Sequence, residues 1–385
     1  MPLKIPYNRP YLTGNELEFI QDCHLRGQLA GDGYYTKQCE GILEEWTGSH
    51  KVLLANSCTA ALEMSAMLTG VGEGDEVIMP SYTFVSTANA FALRGAKPVF
   101  IDIRPDTLNM NEELLQAAVT DKTKAVVPVH YAGVGCEMEP ILDLAAKYGL
   151  KIIEDAAQGI LATYKGQALG AIGNLGTFSF HETKNVISGE GGALLVNCPQ
   201  MAERAEHIRE KGTNRAQFFR GEIDKYTWVD LGSSYLPGEI IAAFLHAQLT
   251  EASIISQKRM ELWEAYNQAL EPLEEEGLLK RPTIPSHCRH NAHLYYVLLP
   301  TPQGRDNLMV SLREKGIQAI FHYIPLHSSP AGKKYARTQG SLPVTEDVSK
   351  RILRLPIWLG MPPPESIVRE ISTIMHSNQG KAKTG

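Results

Sequence analysis

The prediction of the fold starts from residues 151–196, which read KIIEDAAQGILATYKGQALGAIGNLGTFSFHETKNVISGEGGALLV. Three β-rich runs lie in this segment, KIIED, TFSF and GALLV, and polar or glycine-containing stretches separate them. Short apolar runs bounded by turn residues are typical of strands that are buried on both faces of a sheet. Asp155 ends the first run and Lys184 follows the second. The segment therefore predicts a sheet with an acid and an amine at the ends of neighbouring strands.

The same pattern continues towards the N-terminus and extends over residues 51–209. Further β-rich runs are KVLLA (51–55), EVIMP (76–80), KPVFIDI (97–103) and KAVVPVH (124–130). Segments with helical periodicity lie between them, namely TAALEMSAML (59–68), STANAFAL (86–93) and EPILDLAAKYG (139–149). Strands that alternate with helices favour an α/β domain, in which helices cover both faces of a mainly parallel sheet.

A second region begins near Thr250. A long amphipathic helix pattern, EASIISQKRMELWEAYNQALEPL (251–273), is followed by a proline-containing connection and then by NAHLYYVLL (291–299), a strand candidate. We therefore expect a large α/β domain over residues 1–249 and a smaller α+β domain over residues 250–385.

Composition excludes several classes of protein. Of the 385 residues, 43% are hydrophobic and 21% are charged, which is typical of globular chains. The net charge of −6 and the absence of a basic block argue against a nucleic-acid partner. The six cysteines form no CxxC pair, and we expect a reducing compartment. No signal-peptide core and no apolar run long enough to span a bilayer are found, so the sequence predicts a cytoplasmic protein without membrane insertion.

Polar clusters follow the predicted strands of the first domain. They are Ser57-Cys58-Thr59, Ser81-Tyr82-Thr83-Phe84, His130-Tyr131, Asp155-Ala156-Ala157-Gln158 and His181-Glu182-Thr183-Lys184. The carboxyl ends of strands in an open α/β sheet line one crevice, so we expect these clusters to converge. The helix start at residues 57–59 offers free N–H groups and hydroxyls to a phosphate, although an ordinary serine N-cap would give the same pattern.

The combination of Asp155 and Lys184 favours pyridoxal phosphate (PLP) as the cofactor. Taken singly, Asp155 could cap a helix and Lys184 could be a solvated lysine. Together with a phosphate seat they supply what PLP needs: a Schiff-base lysine, an acid for the pyridinium nitrogen and a phosphate anchor. Phe84 could stack on the pyridine ring, or it could be a core aromatic residue.

Other motifs do not support a competing chemistry. HETKN (181–185) begins like a zinc-protease HExxH motif, but Asn185 replaces the second histidine. His287, His290 and His293 have a spacing that metal ligands can have, but surface or capping histidines are the simpler interpretation, and we predict no metal site. The chain contains no GxxxxGK[ST], GxGxxG or GxSxG motif.

Three short motifs of the sequence resemble those of the DegT/DnrJ family of PLP-dependent sugar aminotransferases. They are DAAQ (155–158), SFHETK (179–184) and GEGG (189–192), and longer stretches, such as GDEVIMPSYTFVSTANAF (74–91) and VPVHYAGVGCEM (127–138), extend the similarity over nearly the whole chain. The resemblance implies the PLP-dependent transferase fold type I, which is aspartate aminotransferase-like. It also implies a homodimer with interfacial active sites, L-glutamate as amino donor and a nucleotide-linked 4-keto-6-deoxy sugar as acceptor.

The resemblance assigns a role to each matching residue. Lys184 would be the Schiff-base lysine, Asp155 would pair with the pyridinium, Phe84 would stack on the ring, and Gln158 would lie beside the ring and its 3-oxygen. The phosphate would be held by Ser57, Cys58, Thr59 and Ser179. His181 and His327 would contribute to the sugar pocket.

One difference from the family concerns a cofactor contact across the dimer. Many relatives carry Asn-x-Arg before the helix that here reads EIIAAFLHAQL (239–249), whereas this chain has Ser234-Tyr235-Leu236. Ser234 could substitute as a shorter donor to the partner's phosphate, or Asn214 or Arg215 could contribute instead.

One loop-like stretch carries candidates for binding the diphosphate and the base of the sugar nucleotide, namely Arg215, Arg220, Lys225 and Trp228. The alternative is that this stretch is a solvated charged loop.

The sequence leaves other functions open. A related PLP sugar enzyme with a different regiochemistry or stereochemistry is the nearest alternative, and a regulatory or sensory protein without turnover is a more distant one. The stereochemistry at C4, the choice between thymidine and uridine, and the glycan that receives the product are not encoded in these motifs.

Overall fold

The computed structural model describes residues 4–382. The strands are β1 (Lys51–Ala55), β2 (Glu76–Pro80), β3 (Lys97–Ile101), β4 (Thr123–Val126), β5 (Lys151–Asp155), β6 (Thr163–Tyr164), β7 (Gln167–Ala168), β8 (Leu175–Ser179), β9 (Gly192–Val196), β10 (Cys288–Arg289), β11 (Tyr295–Leu298), β12 (Arg337–Thr338) and β13 (Ile352–Leu355).

The helices alternate with the strands in the first part of the chain. They are α1 (Glu16–Arg26), α2 (Tyr34–Thr47), α3 (Cys58–Leu68), α4 (Val85–Ala92), α5 (Leu115–Ala118), α6 (Met138–Tyr148), α7 (Ala202–Arg209), α8 (Arg215–Phe219), α9 (Glu239–Thr250), α10 (Ala252–Ala269), α11 (Glu271–Glu275), α12 (Pro302–Glu314), α13 (Pro330–Tyr335), α14 (Pro343–Arg351) and α15 (Pro364–Ala382). No helix within residues 4–382 combines the length and the apolar character needed to cross a membrane.

An eight-stranded sheet with the order β1-β9-β8-β5-β4-β2-β3-β12 forms the centre of the molecule. The pairs from β8 to β12 are parallel, whereas β9 runs antiparallel to both of its neighbours, β1 and β8. The predicted α/β fold with a mainly parallel sheet is therefore confirmed.

Helices bury both faces of this sheet, which explains its nearly continuous apolar strands. Within β1, Val52 and Leu54 pack into one hydrophobic cluster with residues of α2, α6 and α9. Leu53 and Ala55 point the other way, into a second cluster with residues of α3, α4 and α7. Successive side chains of a strand alternate between faces, so a strand that is covered on both sides favours apolar residues on both of its faces.

The smaller region has its own core, around the antiparallel pair β11–β13 with α10, α12 and α15. The chain exchanges segments between the two regions. Near the N-terminus, Ile5 pairs with Ile317 and packs in the small-domain core. In the other direction, β12 adds to the edge of the large sheet next to β3. The predicted division at residue 249 is therefore crossed by a segment from each side.

Candidate active site

A cavity of about 750 Å³ opens at the carboxyl ends of β5 and β8 and is closed on another side by small-domain segments. It brings together all but one of the predicted cofactor residues, together with His181; those present are Ser57, Cys58, Thr59, Phe84, Asp155, Gln158, Ser179 and Lys184. The expected convergence of the strand-end clusters is thus found for the decisive pair, because Asp155 and Lys184 line the same cavity.

The N-terminus of α3 forms one end of this cavity. Ser57 is its N-cap in an extended conformation, and its hydroxyl accepts a hydrogen bond from Ala60 N at 3.0 Å. The backbone N–H groups of Cys58 and Thr59 have no acceptor among residues 4–382. The first N–H groups of a helix, together with its dipole, favour a bound anion. This end of the cavity therefore fits a phosphate group.

A close backbone approach keeps this helix start in place. A Cβ added at Gly192 would lie 2.4 Å from Cys58 N and 2.4 Å from the carbonyl carbon of Ser57. Only glycine leaves room for the start of β9 to pass so near to the start of α3. Gly192 of the GEGG motif (189–192) therefore helps to shape the phosphate seat.

Asp155 ends β5 with its carboxylate turned towards the cavity. Its side chain is buried, its Oδ2 accepts a hydrogen bond from the Thr87 hydroxyl at 2.6 Å, and its Oδ1 accepts one from Ala157 N at 3.2 Å. The Thr87 hydroxyl is also paired with that of Thr83 at 2.9 Å. A buried carboxylate needs strong donors or a cation. Thr87, which the sequence interpretation did not single out, fixes the carboxylate and leaves its cavity side for a cationic ligand.

Lys184 lies in the connection from β8 to β9. Hydrogen bonds from Phe180 N to Gly191 O and from Glu182 N to Gly189 O close this connection into a hairpin-like loop. The Lys184 amine has no hydrogen-bond partner among residues 4–382. Burial lowers the pKa of Lys184, whereas the charge of Asp155 raises it. An amine with a lowered pKa and no fixed partner is suited to nucleophilic and proton-transfer chemistry.

Aromatic and amide groups build the wall beside Asp155. Phe84 lines the cavity while 56% of it is exposed, and its ring centroid lies 6.4 Å from that of Tyr323. The buried Gln158 accepts from Ala132 N at 2.7 Å and donates to the Tyr323 hydroxyl at 2.9 Å. The Gln158 amide is thus largely committed to holding Tyr323. Tyr323 lies in the segment HYIPLH (322–327). In this segment the sequence analysis predicted a site role for His327 but not for Tyr323.

Two further histidines line the cavity: His293, which was predicted to be a surface or capping residue, and His322, which the sequence analysis did not single out. Burial lowers the pKa values of His293 and His322 well below the usual range, so both rings are neutral at pH 7. His290, predicted as a surface or capping residue, is not on the surface: it is buried, its ring lies 4.4 Å from that of Trp263, and its Nδ1 accepts a hydrogen bond from Ala292 N at 3.2 Å.

Some predicted substrate residues lie outside the cavity of their own chain. Arg220 pairs with Glu206 and Glu222, and Arg215 pairs with Glu210 at 3.5 Å. Carboxylates on or near α7 therefore hold these two guanidinium groups. Lys225 and the largely exposed Trp228 belong to the same surface segment, and neither lines the cavity.

His327 and Ser234 also do not line the cavity of their own chain. The Nδ1 of His327 is paired with the Ser81 hydroxyl at 2.7 Å, and its Nε2 lies 3.4 Å from Glu346. This histidine therefore links the segment after β2 to α14. Ser234 is exposed beside the strand end, where its carbonyl accepts a hydrogen bond from Asn56 at 3.2 Å. It does not line the cavity of its own chain.

The groups that line the cavity fit pyridoxal phosphate. Free N–H groups at a helix start suit the phosphate, and a buried carboxylate suits a protonated ring nitrogen. Lys184 supplies the amine that such a cofactor requires.

Comparisons with known proteins agree with this geometry. The DegT/DnrJ/EryC1/StrS aminotransferase family model matches residues 10–372. The chain is 35% identical to the uncharacterized protein MJ1066 of Methanocaldococcus jannaschii, covering 97% of this chain and 98% of that protein. The aminotransferase TlmJ of Streptoalloteichus hindustanus is 30% identical, with a TM-score of 0.89 over 97% of this chain and all of the other. The PLP form of the sugar aminotransferase Spr1654 of Streptococcus pneumoniae is 25% identical, with a TM-score of 0.88 over 97% and 99% of the two chains. The chain therefore belongs to the DegT/DnrJ/EryC1/StrS aminotransferase family, whose members depend on pyridoxal phosphate.

Proposed function

We propose that this protein transfers the amino group of L-glutamate to C4 of dTDP-4-keto-6-deoxyglucose and so forms dTDP-4-amino-4,6-dideoxygalactose. The single observation that carries the chemistry is the placement of Asp155 and Lys184 on one cavity, next to the free N–H groups of the α3 N-terminus. The choice of sugar rests on the resemblance of the long stretches around these residues to transaminases of that specificity.

Bound PLP supplies an electron sink for the carbon that loses its proton. Ser57, the N–H groups of Cys58 and Thr59, and Ser179 would hold its phosphate, and Phe84 would pack against its ring. Asp155 would keep the ring nitrogen protonated, because a carboxylate that is held away from water stabilises a cation beside it. Thr87 acts through Asp155 by fixing the carboxylate oxygen that it contacts at 2.6 Å.

Lys184 carries the proton in both halves of the reaction. Its amine takes the proton from Cα of glutamate, and it later delivers a proton to C4 of the sugar. The lowered pKa of Lys184 favours this role, because a larger share of the amine is then unprotonated near neutral pH. One group at one place can serve both substrates only if they occupy the same cavity in turn, so ping-pong kinetics follow.

A second copy of the chain would complete the binding site for the nucleotide sugar. The segment that carries Arg215, Lys225 and Trp228 exposes Phe219 and Tyr226 as well, and it lies outside the cavity of its own chain. Exposed aromatic and basic side chains in one segment suit both an interface and a nucleotide. We propose a cytoplasmic homodimer in which this segment and Ser234 reach the partner's cavity, while His181 contacts the sugar.

Product analysis tests the proposed function. The PLP-loaded protein is incubated with L-glutamate and dTDP-4-keto-6-deoxyglucose, and the product is identified by mass and by NMR, which also assigns the configuration at C4. We expect the 4-amino sugar, an equal amount of 2-oxoglutarate, and parallel initial-rate plots. The uridine analogue in a parallel reaction measures the nucleotide preference.

Two results would separate the alternatives. An amino sugar with the gluco configuration would replace the stereochemical part of the proposal by that of a related sugar aminotransferase. A protein that binds the nucleotide sugar but forms no 2-oxoglutarate would refute the transaminase and favour the regulatory role.

A further inference from the structure

His293 is a side chain of the cavity wall whose protonated nitrogen is determined by the residue that follows Lys184. Its Nδ1 lies 3.1 Å from the Oδ1 of Asn185, which is buried and does not itself line the cavity. The Nδ2 of Asn185 donates to the carbonyl oxygen of Asn291 at 2.7 Å, so the amide is turned with its oxygen towards the histidine. An amide oxygen can only accept, and His293 must therefore carry a proton on Nδ1. Because the ring is neutral, its Nε2 is left as an acceptor.

The backbone around His293 is held in one conformation. Asn291 donates to two carbonyl oxygens of the loop after β5, each at 2.8 Å, and Arg259 donates to the carbonyl oxygen of His293 at 2.7 Å. Between these contacts Ala292 has a φ of +51°, in the left-handed region that residues other than glycine rarely adopt. Such a conformation persists only where its surroundings hold it, and it is common at functional sites.

The Nε2 edge of the His293 ring faces the cavity. The residue lines the cavity, whereas its Nδ1 is turned towards Asn185, and the two nitrogens lie on different edges of the ring. No group within residues 4–382 forms a hydrogen bond with Nε2. Burial is the main cause of the lowered pKa of His293 and the charge of Lys184 is the next, so the two side chains are near each other. An acceptor without a donor from the described chain therefore lies close to the amine that moves the proton.

We propose, on the basis of the proposed aminotransferase function, that Nε2 of His293 accepts a hydrogen bond from the C3 hydroxyl of the sugar substrate. The two substrates differ in what they offer to a lone pair. L-Glutamate carries two carboxylates, which only accept, and a nitrogen that is itself the group transferred. A 4-keto-6-deoxyhexose carries hydroxyl donors at C2 and C3, and C3 is bonded to the carbon that reacts. A lone pair close to Lys184 therefore fits the C3 hydroxyl and not the amino donor.

Neighbouring polar groups of the cavity are less suited to this contact. The Asp155 carboxylate fits the ring nitrogen of PLP, and the side-chain oxygen of Gln158 already accepts from a backbone N–H at 2.7 Å. The Nδ1 of His322 is paired with the Tyr131 hydroxyl at 2.6 Å, and a hydroxyl can donate or accept, so either tautomer of His322 satisfies this bond. His293 differs from these groups because its neighbour makes the cavity side of its ring an acceptor.

The test uses two substitutions that separate the two nitrogens of the ring. His293→Asn places an amide where Nδ1 was, so it keeps a partner for Asn185 but does not reach the cavity. His293→Gln places an amide oxygen near the position of Nε2. His50→Asn, at an exposed position just before β1, is the control. Rapid-mixing absorbance of the cofactor follows each half-reaction separately: protein loaded with pyridoxamine phosphate against dTDP-4-keto-6-deoxyglucose, and protein loaded with PLP against L-glutamate.

The expected loss is confined to the sugar half-reaction. His293→Asn should raise the apparent dissociation constant of the sugar nucleotide about 5- to 150-fold, because a hydroxyl donor in the cavity loses its acceptor. The constant for L-glutamate should stay within about twofold, and His293→Gln should recover part of the loss. The 3-deoxy analogue of the sugar nucleotide should bind the parent protein about as weakly as the natural sugar binds His293→Asn, and it should lose no further affinity in that variant.

The outcomes are distinct. A sugar constant that is unchanged in His293→Asn overturns the assignment while the aminotransferase reaction stands. Equal losses in both half-reactions also overturn it, since the ring would then act on Lys184 rather than on the sugar. A parent protein that does not react with the sugar nucleotide refutes the proposed function, and this inference with it. The thermal midpoint and the cofactor absorbance establish that His293→Asn is folded and loaded. If it is not, the 3-deoxy analogue decides with the parent protein alone, and a constant equal to that of the natural sugar overturns the assignment.

Discussion

Replacing Glu154 by Gln tests how the strand that carries Asp155 is held in place. Glu154 and His130 are both fully buried, and Glu154 Oε2 contacts His130 Nε2 at 2.8 Å. The same carboxylate accepts hydrogen bonds from the N–H groups of Gly170, Ile172 and Gly173, at 2.8, 2.7 and 2.6 Å. Each carboxylate oxygen of Glu154 therefore accepts hydrogen bonds from two donors. All four donors depend on both oxygens being acceptors.

The size of the effect follows from this arrangement. A glutamine has one carbonyl oxygen and one NH₂ group, so in either orientation two donors face an NH₂ group instead of an acceptor. His130 cannot compensate by moving its proton, because its Nδ1 accepts from Cys136 N at 3.1 Å. With hydrogen bonds to a charged group at about 1.5–3 kcal/mol each, Glu154→Gln should reduce the free energy of unfolding by about 3–6 kcal/mol. For a chain of 385 residues this corresponds to a thermal midpoint lower by about 4–7 °C.

Differential scanning calorimetry of the PLP-loaded protein measures this shift. Glu275→Gln is the matched control, because Glu275 is exposed at the end of α11 and the same change there should move the midpoint by less than about 1 °C. A midpoint for Glu154→Gln that equals the control would refute the reasoning, since it would mean that the four donors do not need a charged acceptor.

Three further perturbations address the cofactor, its phosphate seat and the pH dependence of folding. Lys184→Ala should abolish transamination and the visible absorbance of the lysine-bound cofactor without changing the far-UV circular dichroism, and retained turnover would contradict the assigned role. Gly192→Ala should weaken PLP binding by roughly 10-fold in a fluorescence titration, because its Cβ would collide with the backbone at Cys58 and the N–H groups must then shift; Gly41→Ala, at a helix position with open space, should leave the affinity unchanged. Burial lowers the pKa of His290 to about 4, so below about pH 6.5 the unfolded chain takes up a proton that the folded protein refuses. The stability difference between wild type and His290→Phe should therefore change by up to about 3 kcal/mol between pH 6.5 and pH 4, with the wild type losing more in urea titrations, and a pH-independent difference would contradict this view.

Much of the sheet was predictable because each central strand is a short apolar run between turn residues. Burial on both faces favours apolar residues, such as Val52 and Leu53 of β1 and Ile152 and Ile153 of β5, so these strands can be found without any knowledge of their neighbours. By contrast, β12 is a two-residue strand, Arg337–Thr338, with no apolar content. It joins the large sheet through backbone hydrogen bonds to an edge, and a sequence pattern does not record such a contact.

The candidate site divides in the same way. Asp155 and Lys184 could be found because strand ends converge in any α/β sheet, which makes local sequence sufficient. The supporting residues could not be found in this way, because their partners are distant in the chain. Thr87 meets Asp155 across 68 residues, and Gln158 meets Tyr323 across 165 residues. The sequence also could not show that Arg220 pairs with an acidic residue, because only the packing of α7 brings Glu206 next to it.

The central sheet and the smaller region around β11 and β13 contribute different chemistry to the cavity, and this bears on where specificity resides. The large domain supplies the groups that suit the cofactor, from the strand ends at Asp155 and Lys184 and from the helix start at Ser57. The small domain supplies Tyr323 and Arg354, which face the space left for a substrate. A family that keeps the first set can retain the cofactor and its proton chemistry while changing the second set and the exposed segment around Trp228. On this argument the acceptor sugar is determined by side chains that no cofactor motif contains, which is why the motifs identify the reaction more readily than the substrate.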